Sequence, residues 1–138
     1  MGEHAVIVLD THALVWWVAS PGRIPAKARR LLDRAVESGG MVAASSISVW
    51  EVSMLASRGR LQLSIPVEDW ISSLEALPFL QFVPVDNRVA ARAVALENFP
   101  HRDPADRMIA ATALGLGASL VTADARLRAY RPLKSVWA

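Results

Sequence analysis

The sequence of 138 residues contains no cysteine. This absence excludes a disulfide framework, a thiolate metal site and a cysteine nucleophile. Any metal ion bound by this chain must therefore take oxygen or imidazole ligands, which are the remaining protein donors that hold metals well.

Long apolar runs are also missing from the sequence. No stretch approaches the roughly 20 uninterrupted apolar residues that a membrane-spanning helix needs. The amino terminus carries Glu3 and His4, where a secretory signal would be basic. We therefore expect a cytoplasmic protein that does not contact a membrane.

The composition is that of a globular protein, with 53% hydrophobic and 20% charged residues and no low-complexity segment. The length suits one hydrophobic core, so residues 1–138 are predicted to form a single domain. The net charge is only +2, yet 13 of the 15 basic residues are arginine. Arginine suits contacts with phosphate or carboxylate, although an ordinary solvated surface accounts for this composition equally well.

Short apolar runs alternate along the chain with segments that have helical periodicity. The strands are predicted at residues 5–9, 41–44, 79–83, 118–122 and 133–137. The helices are predicted at residues 11–19, 25–36, 48–58, 66–78, 86–97, 103–114 and 124–130. This alternation predicts an α/β fold, a three-layer α/β/α sandwich around a mostly parallel sheet of about five strands.

Four acidic residues follow apolar runs or begin predicted helices: Asp10, Glu51, Asp106 and Asp124. In a parallel α/β sheet, ligands bind beyond the carboxyl ends of the strands, where several helix amino ends meet. The four carboxylates could therefore converge at one edge of the sheet.

Helix capping is the alternative role for each of these acids, because acidic residues are favoured at helix amino ends without any catalytic reason. Ser48 and Glu51 have the spacing of a capping box. Asp103 could cap the helix in which Pro104 is the first residue. The side of the helix on which they lie favours a site role for Glu51 and Asp106. Both share a helical stripe with apolar residues and should point partly inward.

The ligand chemistry of such a cluster predicts the cation. Carboxylates without cysteine suit Mg²⁺, for which Mn²⁺ can substitute, and these ions keep several waters and bind substrate phosphate. A water activated by one or two such ions could cleave a phosphodiester. The pattern therefore favours a magnesium-dependent nuclease.

Four segments carry a resemblance to a known family. They are IVLDTHALVWW from Ile7, ASSISVWEVSMLASRGRL from Ala44, DPADRMIAATAL from Asp103 and LVTAD from Leu120. In order and spacing, nearly the whole chain resembles the PIN-domain ribonucleases, and within them the VapC toxins of bacterial toxin–antitoxin pairs.

The resemblance implies a site and partners. It makes Asp10, Glu51, Asp106 and Asp124 the catalytic, metal-binding quartet, with Asp10 and Asp106 as direct ligands and Thr11 and Thr122 in support. It places the catalytic acid of the third segment at Asp106 and makes Asp103 the cap. It further implies a homodimer, inhibition by a cognate VapB-like antitoxin, and cleavage of a structured RNA such as tRNA or rRNA.

Several arginines lie near the predicted edge of the sheet and are candidates for holding RNA phosphates, although a solvated surface role is open for each. These candidates are Arg23, Arg58, Arg60, Arg102, Arg107 and Arg126.

Other functions of the same architecture fit less well. A haloacid-dehalogenase-like phosphatase needs a second aspartate where His12 stands, and a receiver domain needs a phosphorylated aspartate where Val83 and Pro84 stand. A PIN-domain RNA-processing nuclease that is not a toxin, and a catalytically silent PIN module that binds RNA or a partner, remain as alternatives to the toxin.

Overall fold

The computed structural model describes residues 6–100 and 102–138. The strands are β1 Val6–Leu9, β2 Met41–Ser45, β3 Leu80–Val83, β4 Ser119–Val121 and β5 Ser135–Val136. The helices are α1 Thr11–Ala19, α2 Ala26–Glu37, α3 Ser46–Ser57, α4 Val67–Glu75, α5 Asn87–Ala95, α6 Pro104–Leu116 and α7 Ala125–Ala129, with a 3₁₀ turn at Pro21–Arg23. Ala5, the predicted start of the first strand, lies outside the described residues.

The five strands form one parallel sheet in the order β3-β2-β1-β4-β5. In the centre, Leu9 of β1 is in register with Ala44 of β2 and with Val121 of β4. The chain builds the sheet outward from β1 to β3 and then returns to the other side of β1. The predicted α/β fold with a parallel sheet is confirmed, and the reversal between β1 and β4 creates a switch point where such folds bind ligands.

Alternation along the strands divides the core between the two faces of the sheet. Ile7 and Leu9 are buried in the cluster that contains residues of α1, α2 and α4. Val8 and Ala43 point to the opposite face, among residues of α6 and α7. Helix α5 packs on α6 in a separate small cluster. None of the described helices is both long and apolar enough to cross a membrane.

Helix α3 begins two residues earlier than predicted, because β2 continues into it without a loop. The N-cap is Ser45, whose Oγ accepts a hydrogen bond of 3.1 Å from the backbone N–H of Ile47. Ser48 lies inside the first turn and is fully buried. The alternative in which Ser48 and Glu51 form a capping box is therefore wrong, and another role must account for both side chains.

Helix α6 ends at Gly117, which has the left-handed backbone angles φ 62° and ψ 31°. Its N–H donates to the carbonyl oxygens of Ala113 and Leu114, which closes the last turn before β4. A Cβ added at Gly117 would meet no atom within 4 Å. The requirement for glycine is therefore conformational and not steric.

Gly117→Ala should lower the free energy of unfolding by about 1 kcal/mol, because an L-residue is strained in the left-handed region. Gly22→Ala is the matched control: its Cβ would also meet no atom within 4 Å, and its φ is not positive. This control should be neutral or slightly stabilising. Urea denaturation of both variants checks the prediction, which fails if they unfold at the same concentration.

Candidate active site

A cleft of about 420 Å³ opens beyond the carboxyl ends of β1 and β4, at the switch point of the sheet. All four acids predicted from the sequence line it. The lining residues are Asp10, Thr11, His12, Trp16, Glu51, Asp103, Asp106, Ala123 and Asp124. Sequence reasoning did not place His12, Trp16 or Asp103 at this cleft.

Asp10 follows β1 directly and is the N-cap of α1. Its Oδ1 accepts a hydrogen bond of 2.9 Å from the backbone N–H of Ala13. Its Oδ2 accepts a bond of 2.5 Å from the hydroxyl of Thr122. The residue is only 7% exposed. Asp10 is thus a helix cap that also lines the cleft.

Thr122 connects Asp10 to Asp124. It follows β4, is fully buried, and its Oγ1 accepts a bond of 3.0 Å from the backbone N–H of Asp124 while donating to Asp10. Asp124 is the N-cap of α7 and accepts from the N–H groups of Arg126 and Leu127. One threonine hydroxyl therefore fixes the relative positions of the two turns that carry these acids.

Glu51 is held by a second threonine. The hydroxyl of Thr11 donates to Oε1 of half-buried Glu51. Because that hydroxyl has a single proton, the Ser48 Oγ, 2.9 Å from the Thr11 Oγ1, must be the donor in their contact. Ser48, Thr11 and Glu51 form a row that joins α1 to α3. The sequence signal for Ser48 was its position one helical turn before Glu51.

Asp103 and Asp106 lie at the start of α6. Asp103 is the N-cap and accepts a bond of 2.9 Å from the N–H of Ala105. Asp106, one turn further on, is half-buried. The cap assignment of Asp103 agrees with its geometry, but Asp103 also lines the cleft, so it adds negative charge to the site.

Burial raises the pKa of the Asp10 carboxyl above its ordinary value, and the negative charge of Asp124 adds to this effect. The hydrogen bonds from Thr122 and Ala13 oppose it. Burial also raises the pKa of Glu51, and the charges of Asp103 and Asp10 raise it further, against the hydrogen bond from Thr11. Ionised carboxylates in this cleft are therefore costly unless a cation lies between them.

The donor set fits a hard divalent cation. Every acidic side chain in the cleft offers oxygen, and each Asp10 oxygen has a lone pair beyond its one hydrogen bond. Within residues 6–100 and 102–138, no three His, Asp or Glu side chains are already grouped to hold one ion. Mg²⁺ in general takes one or two protein carboxylates, with water and substrate phosphate as its other ligands.

Two of the candidate arginines have contacts inside the protein. The Nη1 of Arg107 donates to the carbonyl oxygen of Ala93 at 2.8 Å, and its guanidinium lies 5.2 Å from the ring centre of Phe99. Arg107 therefore ties the end of α5 to α6 and does not face the cleft. Arg23 lies 4.5 Å above the ring of Trp16, which lines the cleft, so Arg23 stays at its rim.

The chain is similar to known proteins in sequence. The family model described as "PIN domain" matches residues 7–132. Ribonuclease VapC22 of Mycobacterium tuberculosis is 41% identical over 125 residues, covering 91% of this chain and 92% of that protein.

Solved structures share the fold at lower identity. VapBC2 from Rickettsia felis, bound to a DNA fragment from their promoter, matches with a TM-score of 0.69 at 20% identity, covering 96% of this chain and 99% of that one. A toxin–antitoxin complex from Klebsiella pneumoniae matches with a TM-score of 0.61 at 19% identity, covering 94% and 95%.

The raised pKa of Asp10 predicts that Asp10→Asn stabilises the metal-free protein at neutral pH by about 1 kcal/mol. Asparagine keeps the cap and removes the buried charge. Its amide N–H cannot accept the Thr122 proton as Oδ2 does, but that loss is the same at every pH. Below the ordinary pKa of 3.8, Asp10 is protonated in both the folded and the unfolded wild type, so the gain in stability is absent. As the pH rises through the raised pKa, the wild type loses stability and the gain grows to its full value.

Thermal unfolding in EDTA between pH 3 and pH 8 measures this gain. Asp86→Asn is the matched control, because Asp86 caps α5 through the same 2.9 Å bond, to the N–H of Val89, but is exposed. The control should show no pH-dependent gain. A gain at Asp10 that is equal at all pH values would contradict the assigned cause.

Proposed function

The chain belongs to the PIN-domain family, among the VapC ribonucleases, and from this premise we propose that it is a Mg²⁺-dependent endoribonuclease, the toxin of a VapBC-type pair. The observation that carries the proposal is the cleft in which Asp10, Glu51, Asp106 and Asp124 meet. Two of these acids have raised pKa values, which a bound cation would relieve.

We assign the metal to the carboxylates, with Asp10 and Asp106 as direct ligands and Glu51 and Asp124 completing the acidic set. When bound, Mg²⁺ or Mn²⁺ would supply an activated water and would neutralise charge on the phosphodiester. The protein contributes a cleft lined by acidic side chains at the end of the sheet.

The threonines act on this site through the acids. Thr122 keeps the Asp10 carboxylate in one orientation by donating to Oδ2, which leaves Oδ1 for the helix N–H and the cleft. Thr11, itself oriented by Ser48, does the same for Glu51. Such hydrogen bonds to ligand side chains tune both geometry and basicity. We therefore propose Thr11, Thr122 and Ser48 as positioning residues.

The substrate and partners follow from the same proposal. A strand of RNA would place its phosphodiester in the cleft, and a structured RNA such as tRNA or rRNA is the expected target. The neighbouring solved structures carry VapBC names or the words toxin–antitoxin complex. They support a VapB-like antitoxin as the partner of this chain. We propose that the chain itself acts in the cytoplasm as a homodimer.

Cleavage assays on purified protein test the enzyme. With Mg²⁺ or Mn²⁺ the wild type should cut RNA internally, and EDTA should stop it. Asp10→Asn and Asp106→Asn should lower the rate at least about 100-fold, and Thr122→Val about tenfold, because outer-shell hydrogen bonds contribute less than ligands. Asp86→Asn should match the wild type. Cleavage that survives EDTA or both ligand substitutions would refute the proposal.

Growth tests the toxin role separately from the chemistry. Induced synthesis of the chain in a bacterial host should stop growth, because RNA cleavage removes components that translation needs. Asp106→Asn should remove this effect at an equal protein level. Co-synthesis of a short protein encoded beside the gene should restore growth. A chain that cuts RNA in the tube but does not affect growth would instead be an RNA-processing enzyme.

A further inference from the structure

A second cavity, of about 630 Å³, lies between α7 and the chain that joins α5 to α6. It is larger than the acid cleft of about 420 Å³, and the carboxylate mechanism does not use it. The residues of interest in its lining are Asn98, Pro100, Arg126, Ala129, Arg131 and Pro132.

We propose that this second cavity binds one nucleotide of the RNA strand whose neighbouring phosphodiester enters the acid cleft. The base would lie against the apolar wall, and a phosphate would contact Arg126 or Arg131. This inference rests on the proposed ribonuclease function and adds a substrate subsite to it.

The wall of the second cavity is pre-formed. Tyr130 is 8% exposed, and its hydroxyl donates a bond of 3.1 Å to the carbonyl oxygen of Glu97. The ring of Phe99 meets the Tyr130 ring edge-on at 5.1 Å between centres. These two aromatic side chains thus hold the segment that joins α5 to α6 against the end of α7. A cavity fixed in this way loses little conformational entropy when a ligand binds.

The second cavity and the acid cleft meet at one turn of the chain. Asp124 lines the acid cleft, and the next two residues, Ala125 and Arg126, line the second cavity. One RNA strand can therefore place neighbouring nucleotides in the acid cleft and in the second cavity. A ligand that binds only in the second cavity would not need the two sites to be adjacent.

The charge and surface of the second cavity select the ligand class. The lining contains two basic residues, Arg126 and Arg131, and one acidic residue, Glu97. This excess favours an anion and opposes a basic peptide. Exposed Pro100 and Pro132 offer flat apolar surfaces, which suit the face of a base.

Asn98 adds a polar group to this wall. It has a positive φ of 55°, a conformation that asparagine tolerates better than most residues. Asn98 lines the cavity, and an asparagine amide carries both a donor and an acceptor. The second cavity therefore combines phosphate contacts, apolar contacts and a group able to read the edge of a base.

Two substitutions separate the contributions of shape and charge. Ala129→Trp fills the second cavity from an exposed position on α7 without changing charge, and Arg131→Ala removes one cation without filling it. The matched controls are Ala26→Trp and Arg30→Ala, both exposed on α2, which packs on the other face of the sheet.

Binding is measured without cleavage. All variants are made in full-length Asp10→Asn protein, and the probe is a fluorescent single-stranded decaribonucleotide of mixed sequence, followed by anisotropy at several salt concentrations. Ala129→Trp should weaken binding about tenfold with an unchanged salt dependence. Arg131→Ala should weaken it less and lower the slope of log affinity against log salt by about 0.7, the value for one phosphate contact on a single strand. The controls should bind as the parent does.

The outcomes separate this inference from the proposed function. Variants that bind like their controls overturn the inference, while RNA cleavage by the wild type still supports the enzyme. Binding that is weakened in Ala129→Trp but not in Ala26→Trp supports the subsite even if the wild type cleaves nothing. If an acidic peptide displaced the fluorescent probe and unlabelled RNA did not, the inference would be overturned in favour of a protein partner.

Discussion

The burial of one carboxylate, that of Asp10, is the constraint on which the site depends. The central strand delivers this residue to the switch point, where it is 7% exposed between the N–H of Ala13 and the hydroxyl of Thr122. The two hydrogen bonds offset part of the desolvation cost but leave the pKa raised. A cation can remove the rest of that cost. Relief of this desolvation cost would therefore favour the binding of a cation.

Hydroxyl groups help to place two of the other acids, Asp124 and Glu51, around Asp10. Thr122 joins the turn after β1 to the turn after β4, and Thr11 with Ser48 joins α1 to α3. A hydroxyl can hold a carboxylate while leaving its negative charge uncompensated, whereas an arginine would neutralise it and compete with a metal. The choice of threonine and serine is thus consistent with a site that must attract a cation.

Much of the fold and the position of the acids could be predicted, because strands and helix starts leave local patterns. Asp10, Asp106 and Asp124 lie next to such boundaries. The role of Ser48 could not be predicted, since its partner Thr11 is 37 residues away. The contact of Arg107 with the end of α5 and the second cavity were hidden for the same reason: they depend on which segments of the chain meet.

In the sequence, capping and metal binding compete as explanations of the acids, yet three capping aspartates, Asp10, Asp103 and Asp124, also line the cleft. A helix N-terminus lowers the cost of a nearby negative charge, so helix α1 offsets part of the cost that burial imposes on the Asp10 carboxylate. The cap at Asp10 uses one carboxylate oxygen for the helix, and the hydroxyl of Thr122 orients the other. The helices therefore reduce the cost of placing acids together, and the pKa of Asp10, which stays raised, marks the cost that a cation would relieve.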